Sequence, residues 1–138
     1  MSWPDVHAAL NNALDGNSAL ATHIGERIYA NQANAGAALP YIVFYEAMGL
    51  SPNIVPRATL NHVYRIESRS VTPGTATGGA QAIHSAVYNA LHGKALTITG
   101  WTSWWVMCER EQKFTEPLDG KQYYRFVWDV RIRASENS

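Results

Sequence analysis

The sequence contains a single cysteine, Cys108, so no disulfide can form within the chain. Such a chain is held by packing and hydrogen bonds, and a reducing compartment is its expected environment. It has no run of about 18 consecutive apolar residues and no N-terminal apolar run of signal-peptide length. The sequence therefore predicts a protein that is made and used in a cytosol.

An excess of charge of either sign is also lacking. The chain has 11 basic and 11 acidic side chains, which give a formal net charge of zero, and only 16% of its residues are charged. A neutral chain has no bulk attraction for nucleic acid or for an acidic membrane surface, although a local patch could still form. We expect no membrane partner.

Residues at catalytic or metal-binding spacing are scarce. The five histidines include no HExxH motif and no pair at metal-ligand spacing, and one cysteine cannot make a Cys pair. The glycine-containing stretch 74–79, GTATGG, lacks the GK[ST] of a Walker loop and is not a GxGxxG after a strand. The sequence predicts no catalytic residue, no metal site and no cofactor.

The remaining reactive side chains fit structural positions. Cys108 alternates with Trp104 and Val106 in a predicted strand, which favours a small core residue over a nucleophile. His84 and His92 fall on a helix face opposite the apolar stripe and are expected in solvent.

Two strand segments carry further polar groups. His62 alternates with Leu60 and Tyr64, which predicts a half-buried structural histidine. Glu109 and Glu111 share one strand face and resemble the solvated edge of a sheet.

Helical spacing of apolar residues predicts two helices near the N-terminus and a third in the second half. The first helix follows Pro4 and Asp5, and its apolar positions are Trp3, Val6, Leu10, Ala13 and Leu14. Asn17 caps a second, short helix. The third has Thr72-Pro73 as a cap and first turn, or a start several residues later because GTATGG at 74–79 is a weak helix former, and Gly93 as its end.

Six stretches are predicted as strands, and they are 27–30, 40–48, 58–71, 95–99, 103–114 and 122–134. Asp119-Gly120 predicts the turn between the last two. The order of elements predicts one α+β domain over residues 1–138. We expect a mainly antiparallel sheet of about four to six strands with two main helices packed on one face.

Tryptophan is the most unusual component, since Trp101, Trp104 and Trp105 occur within five positions. Strand alternation sends Trp105 to one face with Trp101 and Met107, and Trp104 to the other. If the last two strands pair, the face of Trp105 also carries three arginines, which are Arg125, Arg131 and Arg133.

A face with exposed aromatic and arginine side chains is typical of an interface. The candidate interface residues are Trp101, Trp105, Arg125, Arg131 and Arg133, together with Asn53, Ile54 and Val55 in the loop at 49–57. We expect at least one of the arginines to act in assembly, Arg131 first. The alternative is that the N-terminal helix or this loop folds over the face.

The order of segments resembles the tail-completion, or tail-terminator, proteins of long-tailed bacteriophages. The similar features are an amphipathic N-terminal helix, RIYANQANAGAALPYIVFYE at 27–46, a long polar-faced strand, ALHGKALTITG at 90–100, and YYRFVWDVRIRA at 123–134. Two segments depart from the family pattern: the tryptophan-rich WTSWWVMCER at 101–110, and GLSPNIVPRATLNH at 49–62, where a more polar segment is expected.

The resemblance implies a structural function without catalysis. Such proteins form a ring, typically sixfold, on the last ring of the tail tube, stop tail growth and present a surface to the head-side connector. The implied partners are further copies of the chain, the tail tube protein and the head-completion connector, with DNA only as passing cargo. The implied location is the tail-neck region of the virion, and the host cytoplasm during assembly.

Two other functions remain open on the residues alone. A small-molecule-binding or enzymatic α+β domain would use the aromatic side chains to line a pocket. A single-strand nucleic-acid binder would stack bases on them, but it needs a basic groove beside the aromatic residues.

Overall fold

The helices and strands account for most of the chain in the computed structural model, which describes residues 5–33, 36–49, 59–118 and 120–137. Within these ranges the order is α1 (Val6–Asp15), α2 (Ser18–Ile24), β1 (Ile28–Ala30), β2 (Tyr41–Gly49), β3 (Thr59–Ser70), α3 (Ala80–Leu91), β4 (Ala95–Ile98), β5 (Trp101–Trp105), β6 (Met107–Leu118) and β7 (Lys121–Glu136). The fold is α+β, with three helices and seven strands in these ranges, against the four to six strands expected.

Side-chain caps start the first two helices, and of the two only Asn17 was predicted as a cap. The Asp5 carboxylate accepts a hydrogen bond from the backbone N–H of Ala8 at 2.9 Å, and the Asn17 side chain accepts one from Leu20 at 2.9 Å. Each cap satisfies one of the backbone donors that the first helical turn leaves free.

The third helix begins at Ala80, which is the later of the two predicted starts, rather than at Thr72-Pro73. The segment before it is a turn, in which the Ser70 hydroxyl donates to the carbonyl of Gly78 at 2.7 Å. Gly79 packs so tightly that a Cβ there would lie 2.4 Å from the carbonyl oxygen of Gly74. The small residues therefore build a close-packed entry to the helix.

The strands form one sheet in the order β1-β2-β3-β7-β5-β4, and β6 also pairs with β7. The β1–β2 pair is parallel, and the other described pairs are antiparallel. The mainly antiparallel sheet is thus confirmed. The longest pairing joins β3 to β7, from Thr59 opposite Ser135 to Ser70 opposite Tyr124.

The core lies between one face of this sheet, here called the inner face, and the helices. Leu10 of α1, Leu20 of α2 and Ile83 of α3 pack with inner-face residues such as Ile66 and Val130, and all five are fully buried. None of the helices in the described ranges has both the length and the apolar character needed to span a bilayer. The opposite, outer face of the sheet is free of helices over the same residues, and it carries most of the charged strand side chains.

The predicted strand at 103–114 is two strands that separate at Val106. The N–H of Val106 donates to the carbonyl of Lys94, and its carbonyl accepts from the N–H of Gly93, both at 2.8 Å. β5 pairs with the end of β7, where Ser103 lies opposite Ala134, and β6 pairs with the remainder of β7. Hydrogen bonds to the segment after α3 therefore interrupt a stretch whose sequence looks continuous.

Candidate interaction site

Three large apolar side chains are exposed next to one another where β5 meets β6. Trp104 is 50% exposed, Trp105 71% and Met107 38%. With Arg133 and Ala95 they surround an open depression of about 400 Å³. We call Trp104, Trp105, Met107 and Arg133 the tryptophan patch. A small-molecule pocket would need the indoles to enclose a cavity, whereas here they face outward.

The structure separates the tryptophans differently from the prediction. Trp101 is only 5% exposed and belongs to the core, so the prediction that it is an exposed interface residue was wrong. Trp104, expected beneath the helices, is exposed. β5 pairs regularly with β7 from Trp101 to Ser103, so alternation from buried Trp101 places Trp104 on the outer face beside Arg133. The alternation ends at Trp105, where the β4–β5 register is irregular.

Arg133 is the charged member of the tryptophan patch. Its guanidinium carbon lies 5.4 Å from the centre of the Trp104 ring, a cation–π arrangement. Its Nε is buried and has no hydrogen-bond partner within the described residues. Because that atom is enclosed by the chain itself, a carboxylate from outside could reach only the terminal nitrogens of the guanidinium. No ion pair joins Arg133 to an acid of the described residues, which leaves this charge free to meet one from a partner.

The other two candidate arginines lie on the outer face, as predicted, but they have partners within the chain. Arg131 donates to the Glu109 carboxylate at 2.5 Å and to the Asn61 side chain at 2.6 Å. Arg125 contacts carboxylates on two neighbouring strands and lies 4.2 Å above the Phe114 ring. These contacts hold adjacent strands together, so both arginines already contribute to the fold.

A buried carboxylate, Glu67, links three strands on the outer face and was missed by the sequence analysis. It is 5% exposed, accepts from the Tyr45 hydroxyl and from Arg69 at 2.9 Å each, and lies 3.4 Å from Arg125. Burial and, after it, the hydrogen bond to Glu67 raise the pKa of Tyr45 above 10.0. In the sequence, Glu67 shares a strand face with Arg65 and Arg69, which is the pattern of a solvent-exposed face. Glu67 is buried because β2 and β7 pair with β3 on either side of it.

The two histidines expected in solvent are not there. His84 is 2% exposed and its Nε2 lies 2.8 Å from the Glu111 carboxylate. His92 is half-buried and accepts from the N–H of Cys108 at 3.1 Å. Both predictions were wrong because β6 and β7 pack against the side of α3 that appears polar in the sequence.

The prediction that Glu109 and Glu111 share a face was also wrong. A β-bulge near Glu109 turns it to the outer face, where it meets Arg131. Glu111 points to the inner side, where it meets His84.

Cys108 and His62 occupy the positions expected of them. Cys108 is partly buried and packs against the core, and burial raises the pKa of its thiol to about 12. His62 is half-buried and stacks on Tyr64. The environment of the Cys108 thiol is not that of a reactive cysteine, and the His62 Nδ1 lies 2.7 Å from the Glu46 carboxylate.

The loop candidates Asn53, Ile54 and Val55 lie outside the described residues. Across the parts of the chain that are described, no group of three or more His, Cys, Asp or Glu side chains is arranged to hold a metal ion.

A helix-backed antiparallel sheet of this kind also occurs in a solved assembly. A chain from the structure titled "Virion of native gene transfer agent (GTA) particle" superposes with a TM-score of 0.75 at 21% sequence identity, and the match covers 94% of each chain. At that identity the likeness establishes the fold. Among curated proteins, none matches the sequence.

The class of protein, a structural protein of the phage tail, is given by a family model. The family described as Tail completion protein gp17 matches residues 8–135, which is nearly the whole chain. The protein belongs to this family of bacteriophage tail completion proteins, and its place is in the virion. The resemblance noted from the order of sequence segments is confirmed.

Proposed function

We propose that the protein closes into a ring, a hexamer, on the last ring of the polymerised tail tube, stops tail growth there and joins the tail to the head connector. Its partners are its own copies, the tail tube protein and the head-completion connector, and DNA passes only as cargo. The role is structural, without a cofactor or a catalytic step. Membership of the family supports a role in the phage tail. The exposed tryptophan patch supports the assembly of several copies into a ring.

The observation that carries the ring is the exposure of Trp104 and Trp105. Burying a large apolar side chain contributes about 1.5–3 kcal/mol, so two neighbouring exposed indoles are a strong drive for association. Tryptophan and arginine are the residue types that most often dominate binding energy at interfaces. The tryptophan patch is therefore the proposed subunit or partner contact, with Trp105 and Arg133 retained from the sequence candidates and Trp104 added.

Imaging and mass measurement together test the proposal. Native mass spectrometry of the free protein and negative-stain microscopy with tail tubes should show a closed ring in at least one setting, at one end of the tube. Trp105→Ser should abolish the ring. Val71→Ser is the matched control, because Val71 is an exposed apolar residue, 42% accessible, outside the patch. A strict monomer in both settings would refute the ring.

A further inference from the structure

Three cations without an ion-pair partner lie in the tryptophan patch or next to its residues in the chain. Arg133 lines the patch; Lys94 precedes Ala95 of its wall and also lines a depression beside α1; Arg110 lies three residues after Met107 on β6. The position of Lys94 is fixed by the hydrogen bond from the Val106 N–H to its carbonyl at 2.8 Å. Within the described ranges, these three side chains make no hydrogen bond or ion pair with another residue.

Acids without an internal partner lie elsewhere, at the two ends of α2. Asp15 precedes this helix and Glu26 follows it, and both are exposed. A helix of seven residues is about 10 Å long, so the two carboxylates bracket a short surface. The exposed residues of α2 between them are small: Ser18, Ala19, Ala21 and Thr22.

Two further charged side chains of the described residues have no partner, and neither lies in the tryptophan patch or at α2. They are Lys121, at the β6–β7 turn, and Glu136, at the end of β7. The unpaired cations thus adjoin exposed indoles, and the unpaired acids flank a surface with no bulky side chain. A protruding basic aromatic surface and a smooth acidic one are complementary in both charge and shape.

The two surfaces are formed by different elements of the subunit. The tryptophan patch lies where β5 and β6 run along β7, whereas α2 packs on α3 in the helical layer. A contact between them is therefore heterologous, head to tail, and this is the type of contact that can close a ring. The chain has as many acidic as basic side chains, so the carboxylates that would face the patch can come from a second copy.

We infer that the tryptophan patch of one copy packs on α2 of the neighbouring copy, with Arg133 and Lys94 against Asp15 and Glu26. The inference rests on the proposed ring and names its joint. Arginine is suited to this place, because its planar fork can hold a carboxylate in two places. The contact would give the Arg133 guanidinium the carboxylate that no described residue of its own chain provides.

Two variants, each defective in one surface, test the joint. The patch variant is Trp105→Ser with Arg133→Glu, and the helix variant is Asp15→Lys with Glu26→Lys. Each variant alone should be monomeric. An equimolar mixture should form a dimer that grows no further, because one intact patch meets one intact α2 and each outer surface is disabled. Analytical ultracentrifugation or native mass spectrometry measures this, with Lys121→Glu as a control that should still form rings.

A charge exchange guards against variants that merely misfold. Arg133→Glu and Glu26→Arg should each abolish rings, and the two combined in one chain should restore them at least in part. A damaged chain could not recover in this way. If the wild type forms rings only on tail tubes, the same variants are compared there.

Each contrary outcome has a distinct meaning. If the patch variant and the helix variant each form rings alone, the proposed joint is wrong, whereas the proposal that the protein forms a ring is not affected. A wild type that is monomeric in solution and on tubes would overturn both. Binding of a single-stranded oligonucleotide that is lost in the patch variant, while that variant still forms rings, would assign the surface to nucleic acid and overturn the joint.

Discussion

The imidazole of His84 lies flat on the indole of Trp128, with ring centroids 4.4 Å apart and ring planes 6° apart. The Trp128 indole N–H donates to the backbone carbonyl of His84 at 2.9 Å. The carboxylate of Glu111, on β6, lies 2.8 Å from the imidazole Nε2. These contacts fasten α3 to β6 and β7. Burial lowers the pKa of His84 below its ordinary 6.5, although Glu111 opposes the shift.

The lowered pKa predicts a loss of stability in acid. Above pH 6.5 the imidazole is neutral in both states, whereas below it the unfolded chain takes up the proton first. The free energy of unfolding should therefore fall as pH drops through 6.5, by at most about 1.4 kcal/mol per pH unit from this group. Urea denaturation at several pH values should show a shallower dependence for His84→Gln. Equal slopes would contradict the assignment.

Glu67 should contribute more to stability than an exposed acid with the same partner. Glu67→Gln leaves Arg69 and Arg125 without a buried carboxylate and should lower the free energy of unfolding by about 1–3 kcal/mol. Glu116→Gln is the matched control, because Glu116 also contacts Arg125 but its side chain is 48% exposed. That change should cost less than about 1 kcal/mol. Equal losses in chemical denaturation would show that enclosure of Glu67 is not what matters.

Cys108 should be chemically silent in the folded protein. With its thiol pKa raised to about 12 by burial, almost no thiolate is present at pH 8, and a disulfide reagent should label it only after unfolding. Cys108→Ala should cost about 1 kcal/mol and still complement a defective phage. Fast labelling of the native protein, or a folded Cys108→Ala chain that fails to join tails, would speak against this.

Arg131 and Arg133 should differ when their charge is reversed. Arg131→Glu loses its contacts with Glu109 and Asn61 and should lower stability by about 1 kcal/mol. Arg133→Glu loses no carboxylate partner but does lose the ring contact with Trp104, so it should lower stability by about 0.5–1 kcal/mol, while ring formation is lost. Thermal melts and native mass measurements check the two effects separately. An Arg133→Glu chain that is strongly destabilised would remove Arg133 as the first candidate.

Sequence patterns predict a feature correctly when all the residues that determine it are close together in the chain or when its neighbours are the same along its length. The caps Asp5 and Asn17 act within one turn, so the sequence contains all the information about them. β7 follows strict alternation because β3 pairs with it over 12 residues in unbroken register.

Local patterns failed where distant segments decide the outcome. The break at Val106 depends on hydrogen bonds to Gly93 and Lys94. Burial of His84 depends on Trp128, which is 44 positions away. Periodicity identifies a polar stripe on a helix, but it does not show that a strand will cover it.

The candidate site was only partly predictable for the same reason. Composition drew attention to the tryptophan cluster, and alternation placed Arg125, Arg131 and Arg133 on one face. Which arginine has no carboxylate depends on the bulge at Glu109 and on cross-strand contacts. Those features select Arg133 rather than Arg131.

Tail-tube length is the most direct test of the central claim that the protein ends tail growth as a ring. Tube protein should be polymerised with and without the purified chain, and tube lengths measured by electron microscopy over time. The account predicts that lengths stop increasing once a ring is visible at the growing end, and that Trp105→Ser protein leaves growth unchanged. Tubes that continue to lengthen at the same rate with saturating wild-type protein, and carry no ring, would contradict it.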